Sequence, residues 1–256
     1  MRALILAAGW ATRMGALCAD TPKQLLPIGA RTPLDFVADA LERIPALSSI
    51  DVLTHEGLLE RFETWASRRG GAVGIWSNDV RSFGDRRGAV GDLHHFLETA
   101  QVDEDLLVLG GDQVFDFDLA PLAALATREP TIALVDVGSQ ELVRRYASVS
   151  LDPGGYITRF VEKDPDPPTT LAAPAIYGLP AGSLAEVSAY LDSGGAADNL
   201  GWLAEWLVAR GPVRGVVMQG LWIDVGHPDE YQRACRQFGT PSTAPGVGLP
   251  AGPGER

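Results

Sequence analysis

The stretch LILAAGWATRMGALCADTPKQLLPIG, residues 4–29, begins as an apolar run and stops at the small residues Ala8 and Gly9. Such a run predicts a buried strand, and a glycine after it lets backbone N–H groups approach a ligand. Thr12 and Arg13 add donors where an anion could lie. The spacing fits neither a P-loop, since no Gly-Lys-Ser/Thr ends the turn, nor the G-x-G-x-x-G dinucleotide fingerprint. On these residues alone, an anion-binding loop and a plain strand-to-helix turn are equally good interpretations.

Apolar runs and helical patterns alternate along the first half of the chain. Short apolar runs of the kind that buried parallel strands show lie at residues 3–7, 50–54, 72–76, 105–109 and 131–137. Segments with apolar residues three or four apart lie at residues 33–44, 57–69, 89–100 and 119–127. This order predicts an α/β fold with a mostly parallel, doubly wound sheet and helices on both faces. In such sheets ligands bind beyond the carboxyl ends of the strands, so the residues that follow each strand are candidates for a site.

The second half of the chain predicts a different local structure. Residues 146–152 and 156–163 alternate like strands and are separated by Pro153, Gly154 and Gly155, which predicts a β-hairpin. Further expected elements are strands at 172–179 and 214–220, helices at 183–191 and 200–209, an apolar run at 221–226, and a helix at 228–238. Residues 239–256 are mostly Gly, Pro, Ser and Thr with little to pack, which predicts a flexible tail. We therefore expect one domain over residues 1–238.

Composition limits the partners and the compartment. The 256 residues carry a formal net charge of -12, which argues against nucleic acid and anionic membranes because both favour a basic surface. No apolar run reaches the roughly 18 residues that a membrane span needs. The N-terminus does not resemble a signal peptide, so we expect a cytoplasmic protein. Cys18 and Cys235 fit no metal or disulfide spacing, and we expect reduced thiols.

Lysine usage singles out two residues. Of the 21 basic residues, 19 are Arg, and the two lysines are Lys23 and Lys163. Lysine is a compact point charge and arginine a planar fork, so a site that needs the former does not always accept the latter. These two lysines are therefore candidates for functional residues.

Six segments resemble the sequence signature of the sugar-phosphate nucleotidyltransferases, a family that includes glucose-1-phosphate thymidylyltransferases. In chain order they are LAAGWATRM, TPKQLLPIG, RRGAVGDL, LGGDQVFDF, FVEKDPDPP and LWIDVGHPDEY. The resemblance covers the chain from residue 3 to about residue 235. The resemblance implies a Rossmann-like sheet of the GT-A type with a small sugar-binding subregion that contains the hairpin. It also implies that residues 1–137 bind mainly the nucleotide and residues 138–238 mainly the sugar phosphate.

The resemblance implies a Mg²⁺-dependent reaction between a nucleoside triphosphate and a sugar 1-phosphate, or a related phosphorylated polyol or cyclitol. The products would be an NDP-sugar and pyrophosphate. The catalytic residues would be Arg13, Lys23 and Asp112, and the metal ligands Asp112 and Asp224. Two polyanions must meet in this reaction, so positioning and charge neutralisation lower the barrier more than acid–base work does. One or two carboxylates suffice for Mg²⁺, because the ion keeps most of its waters.

The same resemblance implies two sets of binding residues. The nucleotide set is Leu6, Ala7, Ala8, Gly9, Thr12, Arg13, Lys23, Gly88 and Gly111. The sugar-phosphate set is Glu162, Lys163, Tyr177 and Gly178. Trp10 and Ala11 depart from the family signature, which has a glycine at the position of Ala11.

Two alternatives stay open at this point. The first is a guanylyl- or cytidylyltransferase that acts on a non-sugar acceptor, as the molybdenum-cofactor enzymes do, because their loop also contains Arg-Met-Gly, residues 13–15 here. In that group the lysine follows within a few residues, whereas Lys23 comes later. The second is a nucleotide-binding regulatory module without turnover, which would not need the metal ligands. The segments specify neither the base nor the sugar, and they are compatible with a homo-oligomer.

Overall fold

The structure, a computed structural model, describes residues 1–70 and 73–239. Its first half contains four strands and three helices: β1 Arg2–Leu6, α1 Pro33–Glu42, β2 Ser49–Thr54, α2 Leu59–Arg69, β3 Val73–Ser77, α3 Ala89–Thr99 and β4 Leu106–Gly110. β1 pairs with β2 and β4, and β2 pairs with β3, all in parallel. The expected tail lies, from residue 240 onward, outside the described residues.

Side chains of β1 alternate between two hydrophobic cores. Ala3 and Ile5 pack in the core that contains residues of α1 and α2. Leu4 packs in the core that contains residues of α3. Because successive side chains of a strand point to opposite faces, helices cover the sheet on both sides. The predicted doubly wound α/β fold is confirmed.

The second half extends the same sheet with strands that run mainly antiparallel. Its elements are β5 Gln113–Phe115, α4 Ala120–Ala126, β6 Thr131–Asp136, α5 Gln140–Val143, β7 Ala147–Leu151, β8 Ile157–Glu162, β9 Leu171–Ala173, β10 Ile176–Leu179, α6 Ala185–Asp192, α7 Leu200–Arg210, β11 Arg214–Val217, β12 Trp222–Asp224 and α8 Pro228–Phe238. The sheet order is β3-β2-β1-β4-β10-β6-β9-β7-β8, with β11 beside β6 and a separate β5–β12 pair. β7 and β8 form the predicted hairpin. Among the described residues, no helix is long and apolar enough to cross a membrane.

Three details of the second half differ from the expected elements. The strand expected at 172–179 is two strands, because Pro174 has no N–H group to continue a ladder, and the N–H of Ile176 donates to the carbonyl of Pro174 at 2.7 Å. β9 then pairs with β6 and β7, whereas β10 pairs with β4 and β6. The sequence pattern also did not predict β5 and α5, which have three and four residues.

Candidate active site

A cleft of about 720 Å³ lies beyond the carboxyl ends of β1, β3 and β4. Its walls come from the segments that follow those strands and from the second half of the chain, and they include Leu6, Ala8, Gly9, Trp10, Ala11, Thr12, Arg13, Lys23, Asn78, Phe83, Arg87, Gly88, Asp92, Asp112, Arg145, Tyr146, Glu162, Lys163, Tyr177, Asn199, Trp202, Trp222 and Asp224. Ligand sites occur at this edge of α/β sheets. Most of the sequence-predicted site residues therefore meet in one cleft.

An ion pair at the floor of this cleft joins the segment after β1 to the segment after β4. Lys23, which is largely buried, donates to the carboxylate of Asp112, which follows β4. The β5–β12 pair places Asp224 opposite Gln113, and the N–H of Val225 donates to the carbonyl of Asp112 at 2.7 Å. Asp112 and Asp224 are thus neighbours because a short antiparallel pair holds their backbones together.

The charges of these three groups depend on each other. Burial and the neighbouring charge of Asp112 raise the pKa of Asp224 to about 7. Burial alone would lower the pKa of Lys23, but the carboxylates of Asp112 and Asp224 outweigh it and raise that pKa. A lysine that stays charged is a permanent counter-ion for these carboxylates and for any phosphate beside them.

The two carboxylates fit a divalent cation. A Cβ on Gly110 would lie 3.0 Å from Oδ1 of Asp112, and a Cβ on Gly226 would lie 2.9 Å from Oδ2 of Asp224, so the two glycines leave room for the carboxylates. Within residues 1–70 and 73–239 there is no group of three or more His, Cys, Asp and Glu side chains that could hold a metal. Two carboxylates completed by water and phosphate oxygens are the donor set that Mg²⁺ takes. We conclude that Asp112 and Asp224 could hold Mg²⁺.

The loop after β1 forms the wall next to this ion pair. Ala11 has φ 49° and ψ 30°, so it adopts the left-handed conformation that glycine would take without strain. The N–H of Met14 donates to the carbonyl of Ala11 at 2.9 Å and closes the turn. Arg13 is exposed and its Nη1 lies 3.3 Å from Nε2 of His227. The loop therefore keeps a turn at the position of the missing glycine and presents a guanidinium to the cleft.

Three of the predicted binding residues lie behind the cleft wall. The N–H of Ala7 donates to Leu53 at 2.8 Å and the N–H of Gly111 donates to Leu6 at 3.0 Å, so both donors serve the backbone. A Cβ on Gly178 would lie 2.3 Å from Oγ1 of Thr131, so this glycine accommodates packing between β10 and its neighbours. The structure thus does not bring Ala7, Gly111 and Gly178 to the ligand side.

Glu162 and Lys163 lie at the other end of the cleft. Burial raises the pKa of Glu162, while a hydrogen bond from Asn199 and the charge of Lys163 oppose this shift. Oε2 of Glu162 lies 2.3 Å from the position that a Cβ on Gly201 would take, so this glycine at the start of α7 makes room for the carboxylate. Lys163 has φ 51°, a costly conformation for lysine, and its N–H donates to the carbonyl of Tyr146 at 2.9 Å.

Comparison with known proteins assigns the chain to a family. The family model described as nucleotidyl transferase matches residues 2–240. The chain belongs to the nucleotidyl transferase family. A UTP–glucose-1-phosphate uridylyltransferase from Synechocystis is 30% identical over 92% of this nucleotidyl transferase and 63% of its own length. A second relative is named UTP–glucose-1-phosphate uridylyltransferase AglF and comes from Haloferax volcanii. It is 22% identical over 91% of the chain and 95% of its own length.

A solved structure shares the fold of this nucleotidyl transferase. A Bacillus anthracis protein, provisionally named a glucose-1-phosphate thymidylyltransferase and crystallised with sucrose, aligns with a TM-score of 0.77 at 21% identity. The alignment covers 92% of this chain and 94% of that one. Several curated relatives are longer, and the chain spans between 50% and 63% of their length.

Two polar clusters in the cleft of this nucleotidyl transferase were not predicted. In the first, Nδ2 of Asn78 donates to Asp92 at 2.7 Å and Nε of Arg87 donates to the carbonyl of Asn78 at 2.8 Å. Asn78 follows β3 directly, so the rule that sites lie after strands could have found it. In the second, the hydroxyl of Tyr146 donates to Glu230 at 3.3 Å. Its partners are 84 residues apart, and no local signal connects them.

Gly88 ties the cleft to α7 and provides a test of this packing. It has φ 78°, and its Cβ would lie 2.5 Å from the carbonyl oxygen of Ala197 and 2.6 Å from Cα of Asp198. We expect Gly88→Ala to lower the free energy of unfolding by about 3 kcal/mol, from backbone strain and overpacking together. Gly138→Ala, with φ 69° and open space, should cost about 1 kcal/mol. Gly182→Ala, with neither restriction, should be nearly neutral. Urea denaturation measures all three, and equal losses would contradict the packing argument.

Proposed function

We propose that this nucleotidyl transferase moves a nucleoside monophosphate from a nucleoside triphosphate to a sugar 1-phosphate and releases pyrophosphate. The observation that carries the proposal is the cluster of Lys23, Asp112 and Asp224 in the floor of a cleft with cationic groups at both ends. The cleft volume of about 720 Å³ lies in the range of small-molecule sites. The named activities of the relatives, uridylyl and adenylyl transfer to glucose 1-phosphate, support the same class of acceptor.

The reaction needs charge neutralisation more than proton transfer. An oxygen of the acceptor phosphate forms a bond to the α-phosphorus of the triphosphate. The bond from that phosphorus to the bridging oxygen breaks, and the electron pair leaves on pyrophosphate. The attacking oxygen is already ionised at neutral pH, so no general base is required. Lys23 and Arg13 would stabilise the charge on the phosphates, because fixed charges are most effective in a preorganised site.

Asp112 and Asp224 would hold Mg²⁺ in this proposal. The ion would neutralise phosphate charge and fix the orientation of the triphosphate. Lys23 stays protonated beside the two carboxylates, which keeps a positive charge in the floor of the cleft. At the acceptor end, Glu162 would accept hydrogen bonds from sugar hydroxyls, and Lys163 would contact the acceptor phosphate. Tyr177, which is buried in the wall between the two ends, would limit the depth of the sugar site.

A pyrophosphate-release assay tests the proposed function and the metal together. The purified chain is incubated with Mg²⁺, each of UTP, dTTP, GTP, CTP and ATP, and a panel of sugar 1-phosphates. We expect release with at least one pair, loss of that release when EDTA removes the metal, and recovery when Mg²⁺ is added in excess. Nucleotide binding without turnover for any pair would contradict the proposal and favour a regulatory module. Unchanged turnover in EDTA would remove the metal from it.

A further inference from the structure

Trp10 has a fixed position in the loop after β1. Its ring lies parallel to the ring of His55, with an interplanar angle of 1° and centroids 4.1 Å apart. His55 follows β2 and is only 6% exposed, so it is part of the interior. Trp10 itself lines the cleft. One face of the indole therefore stacks on a buried ring. This contact holds the side chain of Trp10 in one position before any ligand binds.

Phe83 completes a right angle with Trp10. Its ring is perpendicular to the indole at 90°, with centroids 6.1 Å apart, and the side chain is 49% exposed although it lines the cleft. The guanidinium carbon of Arg86 lies 4.5 Å from the centroid of Phe83, and Nε of Arg86 lies 3.7 Å from Asp198 on the opposite wall. We call Trp10 and Phe83 the aromatic corner. It is a pair of rings, one stacked on the interior and the other half-exposed, in the lining of the cleft.

The aromatic corner is next to the phosphate-binding end of the cleft. Trp10 is directly followed by the turn that presents Arg13, so the chain leads from the corner to the cationic floor within three residues. Two other aromatic side chains of the cleft are already engaged at the carboxylates. Trp222 is 7% exposed and its Nε1 donates to Gln113 at 2.9 Å, and Tyr146 packs edge-on against Trp222 at 4.7 Å. Trp202 is 37% exposed and also lines the cleft, but it lies on α7. The corner is thus the aromatic surface from which the chain leads directly into the turn that presents Arg13.

We propose that the aromatic corner is the stacking site for the base of the bound nucleoside triphosphate, an inference that rests on the proposed function. A planar base has a π-face that stacks on aromatic side chains and also interacts favourably with a guanidinium. Such stacking contributes affinity for every base, so the corner holds the nucleotide, while polar groups distinguish one base from another. Because His55 fixes Trp10 in advance, little entropy is lost when the base binds.

The experiment compares ligands with and without a base. Isothermal titration calorimetry with Mg²⁺ present measures the affinity of the wild type, Trp10→Ala and Phe83→Ala for UTP, dTTP, GTP, CTP, ATP and inorganic tripolyphosphate. We expect each variant to bind the best nucleotide of the wild type roughly tenfold more weakly or worse, and to bind tripolyphosphate within about twofold of the wild type. Trp10→Phe and Phe83→Tyr should keep most of the nucleotide affinity, because they keep a ring. Thermal melting checks that each variant is folded. Phe83 is half-exposed and lies outside the loop after β1, so Phe83→Ala tests the stacking site without a change in that loop.

Each result decides between distinct explanations. Equal weakening of nucleotide and tripolyphosphate would mean that the rings only shape the phosphate loop, and it would overturn the assignment. Unchanged nucleotide affinity in both alanine variants would overturn it as well, while leaving the proposed function intact. Loss of nucleotide affinity in Trp202→Ala instead would move the base to the other wall of the cleft. If the wild type binds none of the five nucleotides, the proposed function fails and the corner has no ligand of this class.

Discussion

Asp112→Asn should lower kcat by about a hundredfold to a thousandfold, the loss typical of removing one preorganised charged group from a reacting phosphate or oxyanion. The asparagine keeps the size of the side chain and an oxygen that can accept from Lys23. It removes a negative charge that would hold the metal next to Asp224. The fold should survive, because the backbone link from Val225 to residue 112 does not involve the side chain. Steady-state kinetics with varied Mg²⁺ should show the loss in kcat and a higher metal requirement.

The control is a carboxylate of the same type outside the cleft. Asp103 is exposed and does not line the cleft, so Asp103→Asn changes the net charge by the same amount without touching the site. It should keep wild-type kcat and wild-type metal dependence. Thermal melting of both variants separates catalysis from folding. Activity of Asp112→Asn within about threefold of the wild type, in a folded protein, would remove Asp112 from the metal site.

The fold was predictable because its first half obeys local rules. The side chains of Ala3 and Leu4 face two different cores, so both faces of β1 are buried. A strand buried on both faces has a continuous apolar sequence, which is the pattern seen here. The capped start of α1 is equally local: Thr32 and Asp35 exchange hydrogen bonds three residues apart, and Pro33 opens the helix. The sheet order was not predictable, because β10 reaches β4 across more than sixty residues and no periodicity encodes that partner.

The candidate site was predictable where its residues lie in the six segments that resemble the family signature. Lys23 and Asp112 lie in two such segments, and the structure joins them. Ala7 and Gly111 also lie in such segments, but their N–H groups complete the backbone network, which a motif does not reveal. The stacking of Trp10 on His55 could not be predicted from the sequence for another reason. It joins the ends of two strands, and its geometry follows from strand pairing rather than from either local sequence.

Lys23→Ala should have the second large effect, and it tests which substrate this lysine serves. The variant removes the cation between Asp112 and Asp224, so a developing charge on the phosphates would lose its nearest fixed counter-ion. We expect kcat to fall by about a hundredfold or more, with the KM for the sugar phosphate changed less than threefold. Arginine should not restore activity, because Lys23 places a compact ammonium on the carboxylate of Asp112 and a planar guanidinium cannot put its charge at the same point.

The second lysine of the chain is the matched comparison. Lys163 lines the cleft beside Glu162, at the end that we propose binds the acceptor, so Lys163→Ala should raise the KM for the sugar phosphate about tenfold and lower kcat much less. Both variants remove the same charge from the same net total, and they therefore differ only in position. Opposite patterns in kcat and KM would establish a triphosphate side and an acceptor side in one cleft. If Lys23→Ala changed only the KM for the sugar phosphate, Lys23 would belong to the acceptor side, and the proposed positions of the two substrates in the cleft would have to be reassigned.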